Sequence, residues 1–216
     1  MLYVVYTFSF VTLLLYFTLK NKVKESQIIY FIWYLFAMFF LDFIAHLSRE
    51  FSNFRNNVVF YNILIFFQYN LILFFYYKVF NNKVVKKWNY ILLYLFNICY
   101  VSLVLFYGIK YSFLNKYFVI TDIIGSSLIS IILLLYLREL LNSEKILDYK
   151  RLINFWITIG LLVYYLASIP FVSVLNTMAN LSKENLDFIY NIQHLLSVFM
   201  YACFILGLLW NQKKVK

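Results

Sequence analysis

Four ionisable side chains lie within apolar stretches of this chain of 216 residues: Asp42, His46, Asp122 and His194. An ionisable group inside a membrane span costs free energy, so such groups are rare and tend to be paired or functional. Carboxylates and imidazoles together favour three kinds of site. They could exchange protons near neutral pH, bind a small ligand or ion, or coordinate a metal such as zinc.

The spacing of these residues predicts a polar face on each of three helices. Asp42 and His46 are four residues apart and Asn191 and His194 are three apart, so each pair shares one face of a helix. Asp122 also begins an i, i+4, i+8 stripe with the serines at 126 and 130. Such a stripe is expected to face other helices rather than lipid.

The elements that must position these side chains are seven long apolar runs. Hydrophobic residues make up 64% of the chain and charged residues only 13%, which excludes an ordinary soluble domain. Each run is long enough at about 1.5 Å per residue to cross a hydrocarbon core of about 30 Å. The predicted spans are 2–19, 28–47, 58–80, 88–108, 117–137, 152–174 and 188–210. We therefore predict an all-α polytopic membrane protein, a single seven-helix domain over residues 1–216.

The basic residues predict the orientation of this bundle. Fourteen of the 19 lysines and arginines fall in the loops on one side, and five fall on the other. Because Lys and Arg near span ends stay in the cytoplasm, the N-terminus is predicted outside and the C-terminus inside. The net charge of +10 is thereby explained by topology and by attraction to anionic lipid. It gives no support to nucleic-acid binding.

Counting from the span ends puts Asp42, Asp122 and His194 at a common depth, roughly 7–9 Å below the outer surface. The sequence thus predicts an outward-facing pocket for a ligand or proton. Its predicted residues are Asp42, His46, Asp122, Ser126, Asn191 and His194. Two alternatives stay open: hydrogen bonds that only fix helix packing, and a metal site of Asp42, His46, Asp122 and His194.

Known seven-helix membrane families limit these alternatives. Metal hydrolases of the ceramidase and progestin-receptor type carry three histidines, including an HxxxH pair on the last helix. This chain has only two histidines, and Val198 stands where the second histidine of the pair would be. Span 188–210 also contains no lysine that could form a retinal Schiff base, as microbial rhodopsins require.

Two stretches carry a resemblance: NNVVFYNILIFFQYNLILFFYYKVFNNKVVKKW at 56–88 and IYNIQHLLSVFMYACFILGLLWNQKK at 189–214. They resemble small uncharacterised seven-helix membrane proteins of AT-rich bacteria. The layout is similar to that of the seven-helix sensor modules that are fused to bacterial histidine kinases or work beside them. The resemblance implies a sensory role in a bacterial plasma membrane.

These observations favour a receptor-like or sensor subunit, without enzymatic activity or cofactor, that signals through a separate cytoplasmic or membrane protein. The loop 138–151 offers a docking surface for such a partner or is a solvated helix end. The alternative is an oligomeric channel, with polar rings from Ser126, Ser130, Gln68, Asn70 and Asn97. A lipid-acting membrane hydrolase is a third hypothesis, in which Asp42 and His46 form the only candidate dyad.

Overall fold

The computed structural model describes residues 2–20, 26–51, 57–107, 117–174 and 183–211, and every regular element within these ranges is a helix. The α-helices are α1 (Leu2–Leu19), α2 (Ile28–Phe51), α3 (Val58–Val79), α4 (Lys83–Tyr107), α5 (Val119–Leu141), α6 (Ile153–Val174) and α7 (Lys183–Asn211). A 3₁₀ segment, Glu144–Arg151, joins α5 to α6. The predicted spans begin and end within five residues of these helices.

Six of the helices, α2 to α7, are long and apolar enough to cross a membrane, and α1 is a shorter apolar helix. Helices suit this environment because they satisfy their own backbone hydrogen bonds where no water is available. The prediction of an all-α integral membrane protein is therefore confirmed. A seventh span and the orientation of the chain stay predictions.

Six helices form a closed ring, and one lies outside it. Each of α1, α2, α3, α5, α6 and α7 packs against two ring neighbours, with α7 returning to α1, and α3 contacts α5 directly. The remaining helix, α4, packs against α3 and α5. Only 17% of its span is buried, against 61% for α5. Helix α4 therefore presents most of its surface to the bilayer.

Side-chain amides attach α4 to the ring. Asn97 donates through Nδ2 to Asn70 Oδ1 at 2.7 Å, and Asn70 donates back to Asn97 Oδ1 at 3.3 Å. The Tyr100 hydroxyl on α4 donates to the Asn62 carbonyl of α3 at 2.9 Å. Such bonds between membrane helices stabilise packing by about 0.6–2 kcal/mol each. Asn70 on α3 and Asn97 on α4 are thus partners of each other.

We call the two ends of the bundle the basic end and the open end. The basic end carries the turn 80–82 between α3 and α4 and the 3₁₀ segment. There Glu139 Oε1 accepts the backbone N–H groups of Asn81 and Asn82 at 3.0 and 3.4 Å. Asn82 Oδ1 accepts the N–H of Val84 at 2.8 Å. This side-chain cap explains why α4 begins at Lys83, five residues before the apolar run that predicted it.

An aromatic layer fills the half of the ring nearer the basic end: Tyr16, Phe31, Tyr34, Phe75 and Phe204. Their side chains are at most 1% exposed. Phe31 is the centre, with its ring centroid 5.0–5.6 Å from those of the other four. Aromatic pairs at such distances pack favourably. Four helices, α1, α2, α3 and α7, are joined by this layer.

Two glycines let α6 and α7 approach closely. A Cβ on Gly160 would lie 3.0 Å from both the Met200 carbonyl oxygen and Phe204 Cε1. A Cβ on Gly207 would lie 2.8 Å from Trp156 Cβ. Small residues at such contacts are the usual means by which membrane helices pack, since lipid offers no hydrophobic drive for helix association.

Candidate functional site

A cavity of about 540 Å³ opens into the ring at the open end, where α2 and α6 end and α3, α5 and α7 begin. All six ring helices contribute to its walls, whereas α4 does not among the described residues. On α3 and α7 the lining positions recur at helical spacing, at 61, 65, 68 and 69 and at 190, 193, 194, 197 and 201. One face of each helix therefore lines the cavity along about three turns.

The cavity floor is continuous with the aromatic layer. Tyr165, which lines the cavity, has its hydroxyl 3.4 Å from that of Tyr34 in the layer. The Tyr165 ring also packs against the Tyr69 ring at a centroid distance of 5.6 Å. Close-packed rings therefore lie directly beneath the polar walls.

Asp122 is the most deeply placed charged group of the site, with 5% of its side chain exposed. It lies in the first turn of α5, where the helix dipole favours a negative charge. The Tyr117 hydroxyl donates to Asp122 Oδ2 at 2.6 Å, and the Tyr69 hydroxyl donates to Oδ1. Ser126 Oγ lies 2.7 Å from the Tyr69 oxygen. Because Tyr69 has a single proton, Ser126 is the donor in that contact.

Gly125 permits the contact between Tyr69 and Asp122. A Cβ at position 125 would lie 2.5 Å from Cδ2 and Cε2 of the Tyr69 ring. That ring is fully buried, with Phe96 at 5.1 Å and Tyr165 at 5.6 Å between centroids. The ring cannot move aside without disturbing its neighbours, so only glycine lets the hydroxyl reach the carboxylate.

Asn62 fixes the segment that leads into α5. Its side chain is fully buried, and Oδ1 accepts the backbone N–H of Phe118 at 3.0 Å. Phe118 adjoins Tyr117, so the amide of Asn62 helps to hold the hydroxyl donor of Asp122 in place. Asn62 thus supports the cavity from behind, whereas Gln68 lines it.

Asp42 on α2 is the second acidic residue of the cavity. It is partly buried and lines the cavity, with the hydroxyls of Tyr61 and Tyr6 within reach of its carboxylate. His46 lies close enough to interact with Asp42 electrostatically, as their shared face predicts. The His46 ring packs against the Tyr6 ring, with centroids 5.6 Å apart.

The structure brings three of the six predicted pocket residues to one cavity: Asp42, Asp122 and His194. The other three are not among the lining residues: His46, Ser126 and Asn191. His46 lies behind Asp42, and Ser126 lies behind Tyr69. Asn191 is exposed on α7, whereas Gln193 and His194 line the cavity.

Tyrosines line much of the cavity, and the pocket predicted from the sequence included none of them. Seven of them line the cavity: Tyr61, Tyr69, Tyr117, Tyr164, Tyr165, Tyr190 and Tyr201. Tyr164 lies near enough to both Asp42 and Asp122 to interact with each. The sequence contains 21 tyrosines, so their number alone does not single out any of them. The helical spacing of Tyr61 with Gln68 and Tyr69 was the signal that could have identified them.

The described side chains of the cavity do not form a metal centre. Across the described ranges, no three His, Cys, Asp or Glu side chains lie close enough together to hold a metal ion. Asp42, His46, Asp122 and His194 are all described, so the structure does not assemble them into the metal site considered above. What it does assemble is two separate carboxylates among phenol groups.

The comparisons with known proteins leave this site to be argued from its own geometry. No protein-family model matches the chain, and no match was found among curated proteins or solved structures.

Proposed function

We propose that this chain is a receptor or sensor subunit whose open-end cavity takes a small ligand and whose basic end passes the response to a separate protein. The observation that carries the proposal is the cavity of about 540 Å³ with walls from all six ring helices. Ligand pockets commonly measure about 300–1,000 Å³. A ligand that draws these walls together would also shift the helices relative to one another at the basic end.

In this proposal seven helices cross a bacterial plasma membrane, and the open end faces outward. Helix α1 has 18 residues, about 27 Å at 1.5 Å per residue, a small shortfall that a thinner local bilayer accommodates. Positive charge at the basic end supports a cytoplasmic position for it. The described bases there are Lys20, Lys78, Lys83, Lys86, Lys87, Arg138, Lys145, Lys150 and Arg151.

The 3₁₀ segment Glu144–Arg151 is the proposed contact for the signalling partner. It packs against α5, α6 and α7, so movement of these three helices reaches it directly. Leu147 in this segment is 87% exposed. Its flanking charges Lys145 and Asp148 lie at the predicted cytoplasmic surface, where a partner protein would cover the leucine.

A variant with a filled cavity tests the proposal. Ser197 lines the cavity, so Ser197→Trp should occupy it. Leu195 is 58% exposed on the same helix, so Leu195→Trp is the matched control with the added volume outside the ring. Purified protein in detergent would be screened for thermal stabilisation by a panel of small amines, alcohols and carboxylates. We expect at least one class to stabilise the wild type and Leu195→Trp and to leave Ser197→Trp unchanged.

Transmission needs a second measurement on the same protein. An environment-sensitive fluorophore at Leu147→Cys, with Cys99 and Cys203 replaced by alanine, would report on the basic end. A stabilising compound should change its emission in the Leu195→Trp background and not in Ser197→Trp. If compounds bind without any change at position 147, the chain is a binding protein rather than a receptor. Stabilisation that persists in Ser197→Trp would refute binding in the cavity.

A further inference from the structure

We infer that the ligand of the cavity is a small organic cation, an amine that carries an apolar or aromatic group. This inference rests on the proposed function, since it names the ligand class for the same site. It is argued from the charge of the walls, from the surroundings of Asp122 and from the tyrosine faces.

The described walls carry two carboxylates, and the His46 imidazole lies behind one of them, Asp42. Asp42 and Asp122 are the two acidic lining residues, and none of the described lining residues is lysine or arginine. His194 is the single imidazole among them. A cavity whose fixed charges are carboxylates, surrounded by apolar helices, attracts cations and repels anions.

Asp122 lacks a cationic partner among the described lining residues. Its two carboxylate oxygens are each held by a tyrosine hydroxyl, and 5% of the side chain is exposed. Phenol donors satisfy hydrogen bonds but supply no counter-charge, and an uncompensated buried charge is costly. Each carboxylate oxygen still has a free lone pair. An ammonium group in the cavity would provide both the missing charge and a further donor.

The tyrosine rings offer aromatic faces on which an ammonium group can bind, in addition to the carboxylates. Tyr164 is the central one, because it lies near enough to both Asp42 and Asp122 to interact with each. An ammonium group that contacts an aromatic face gains up to about 2 kcal/mol when it is desolvated. Carboxylates would fix the charged head of the ligand, while ring faces and the methionine and leucine positions of the wall would cover its apolar part.

Three probes of nearly equal shape and different charge test the inference. Phenethylammonium, phenethyl alcohol and phenylacetate would be titrated by calorimetry into the purified protein in detergent. We expect phenethylammonium to bind at least tenfold more tightly than the alcohol, and phenylacetate not to bind. Asp42→Asn and Asp122→Asn should each weaken phenethylammonium binding at least tenfold. Asp187→Asn, which alters an exposed carboxylate on α7, should leave it unchanged.

Asparagine keeps one acceptor oxygen for a tyrosine hydroxyl, and its NH2 group can donate to the oxygen of a second one, so these variants remove the charge and keep the shape of the side chain. Tyr164→Leu is a further variant that leaves both carboxylates intact, and it should also weaken binding. Equal binding of the amine and the alcohol, or no effect of either aspartate substitution, would overturn the inference. So would the absence of binding by phenethylammonium, tetramethylammonium and benzyltrimethylammonium at millimolar concentrations.

Failure of this inference is distinct from failure of the proposed function. If an alcohol or carboxylate binds and Ser197→Trp abolishes that binding, the cavity is a receptor site for a ligand that is not a cation. If phenethylammonium binds equally well to Ser197→Trp, neither the cation site nor the receptor proposal stands.

Discussion

The two halves of the ring differ in how their interiors are filled. Toward the basic end, Phe31 contacts four other aromatic rings, and the five side chains of the layer are at most 1% exposed. Toward the open end, the same six helices leave a cavity of about 540 Å³ and bring carboxylates to its walls. One half of the ring is therefore close-packed, and the other contains the cavity that we propose as the ligand site.

Tyrosine has a different task in each half. Near the basic end, Tyr16 donates to the carbonyl of Phe204 at 3.2 Å, and the Tyr76 hydroxyl lies 2.7 Å from Thr158 Oγ1. These partners are neutral, so the hydroxyls join helices without creating charge. Near the open end, the hydroxyl of Tyr117 points to a carboxylate. Tyrosine hydroxyls therefore join helices through neutral partners in one half and hold a carboxylate in the other. The residue on the facing helix decides which of the two occurs.

The aromatic layer and the partners of the polar side chains are relevant to the channel hypothesis. A conduction path through one chain would have to continue from the cavity through the aromatic layer. The polar side chains that suggested such a path have local partners instead, since Asn70 pairs with Asn97 and Ser130 donates to the Ser126 carbonyl at 2.8 Å. These contacts lie within one chain, and a channel formed between several chains stays a hypothesis.

The largest expected effect is on stability and comes from the aromatic layer. Phe31→Ala removes a fully buried ring that contacts α1, α3 and α7. Truncation of a buried Phe costs about 3 kcal/mol or more, because the cavity it leaves is only partly refilled. The free energy of unfolding would be measured by denaturant titration in detergent micelles.

Phe36→Ala is the matched control for this prediction. Phe36 lies on the same helix but is 45% exposed on the bilayer side, so its truncation should cost well under 1 kcal/mol. Equal losses for Phe31→Ala and Phe36→Ala would show that the layer does not hold the ring together, and the contrast between the two halves would disappear.

A smaller effect should come from the glycines, one in each half. Gly125→Ala places a methyl group against the Tyr69 ring, and Gly207→Ala places one 2.8 Å from Trp156 Cβ. Overpacking of this kind costs about 1–3 kcal/mol, so both variants should lose stability. Only Gly125→Ala should also weaken phenethylammonium binding, since it displaces the hydroxyl that holds Asp122.

A double-mutant cycle checks the cause of the first loss. In a Tyr69→Leu background, Gly125→Ala should cost less than in the wild type, because the ring it would strike is gone. The same background should leave the cost of Gly207→Ala unchanged. Additive losses for Gly125→Ala and Tyr69→Leu would contradict the proposed contact.

The sequence predicted the helices well because bilayer thickness sets their length. Runs of apolar residues located all seven α-helices within five residues, and counting along them predicted that Asp42, Asp122 and His194 share one level. The rotation of each helix could not be predicted in the same way. Lipid-facing and core-facing sides are both apolar in a membrane, so nothing in the pattern showed that His194 faces the cavity while Asn191 does not.

The ring order and the tyrosines were beyond sequence reasoning for a related reason. Nothing in the apolar run of α4 distinguishes a helix outside the ring from one within it. Tyr69 was one tyrosine among 21, and its role depends on Gly125 of another helix. The contact between Tyr69 and Gly125 can be inferred only once α3 and α5 are known to pack against each other.

The smallest expected effect compares one tyrosine from each half. Thr158 donates its own proton to the Asn154 carbonyl at 2.6 Å, so Tyr76 must donate to Thr158. Tyr76→Phe therefore removes a hydrogen bond to a neutral acceptor, worth about 1 kcal/mol. Tyr117→Phe removes one to a carboxylate, worth about 2 kcal/mol. The free energy of unfolding should therefore fall more for Tyr117→Phe than for Tyr76→Phe. Only Tyr117→Phe should weaken phenethylammonium binding.

The order of these two losses is informative because both substitutions delete one oxygen and keep the ring. A larger loss for Tyr76→Phe than for Tyr117→Phe would mean that the hydroxyl at Asp122 is already well hydrated through the cavity. In that case water rather than the tyrosines would satisfy the carboxylate, and the expected gain from an ammonium ligand would shrink with it. The measured difference therefore tests how far water reaches Asp122 in the cavity wall. Access of water is the property that distinguishes this half of the ring from the aromatic layer.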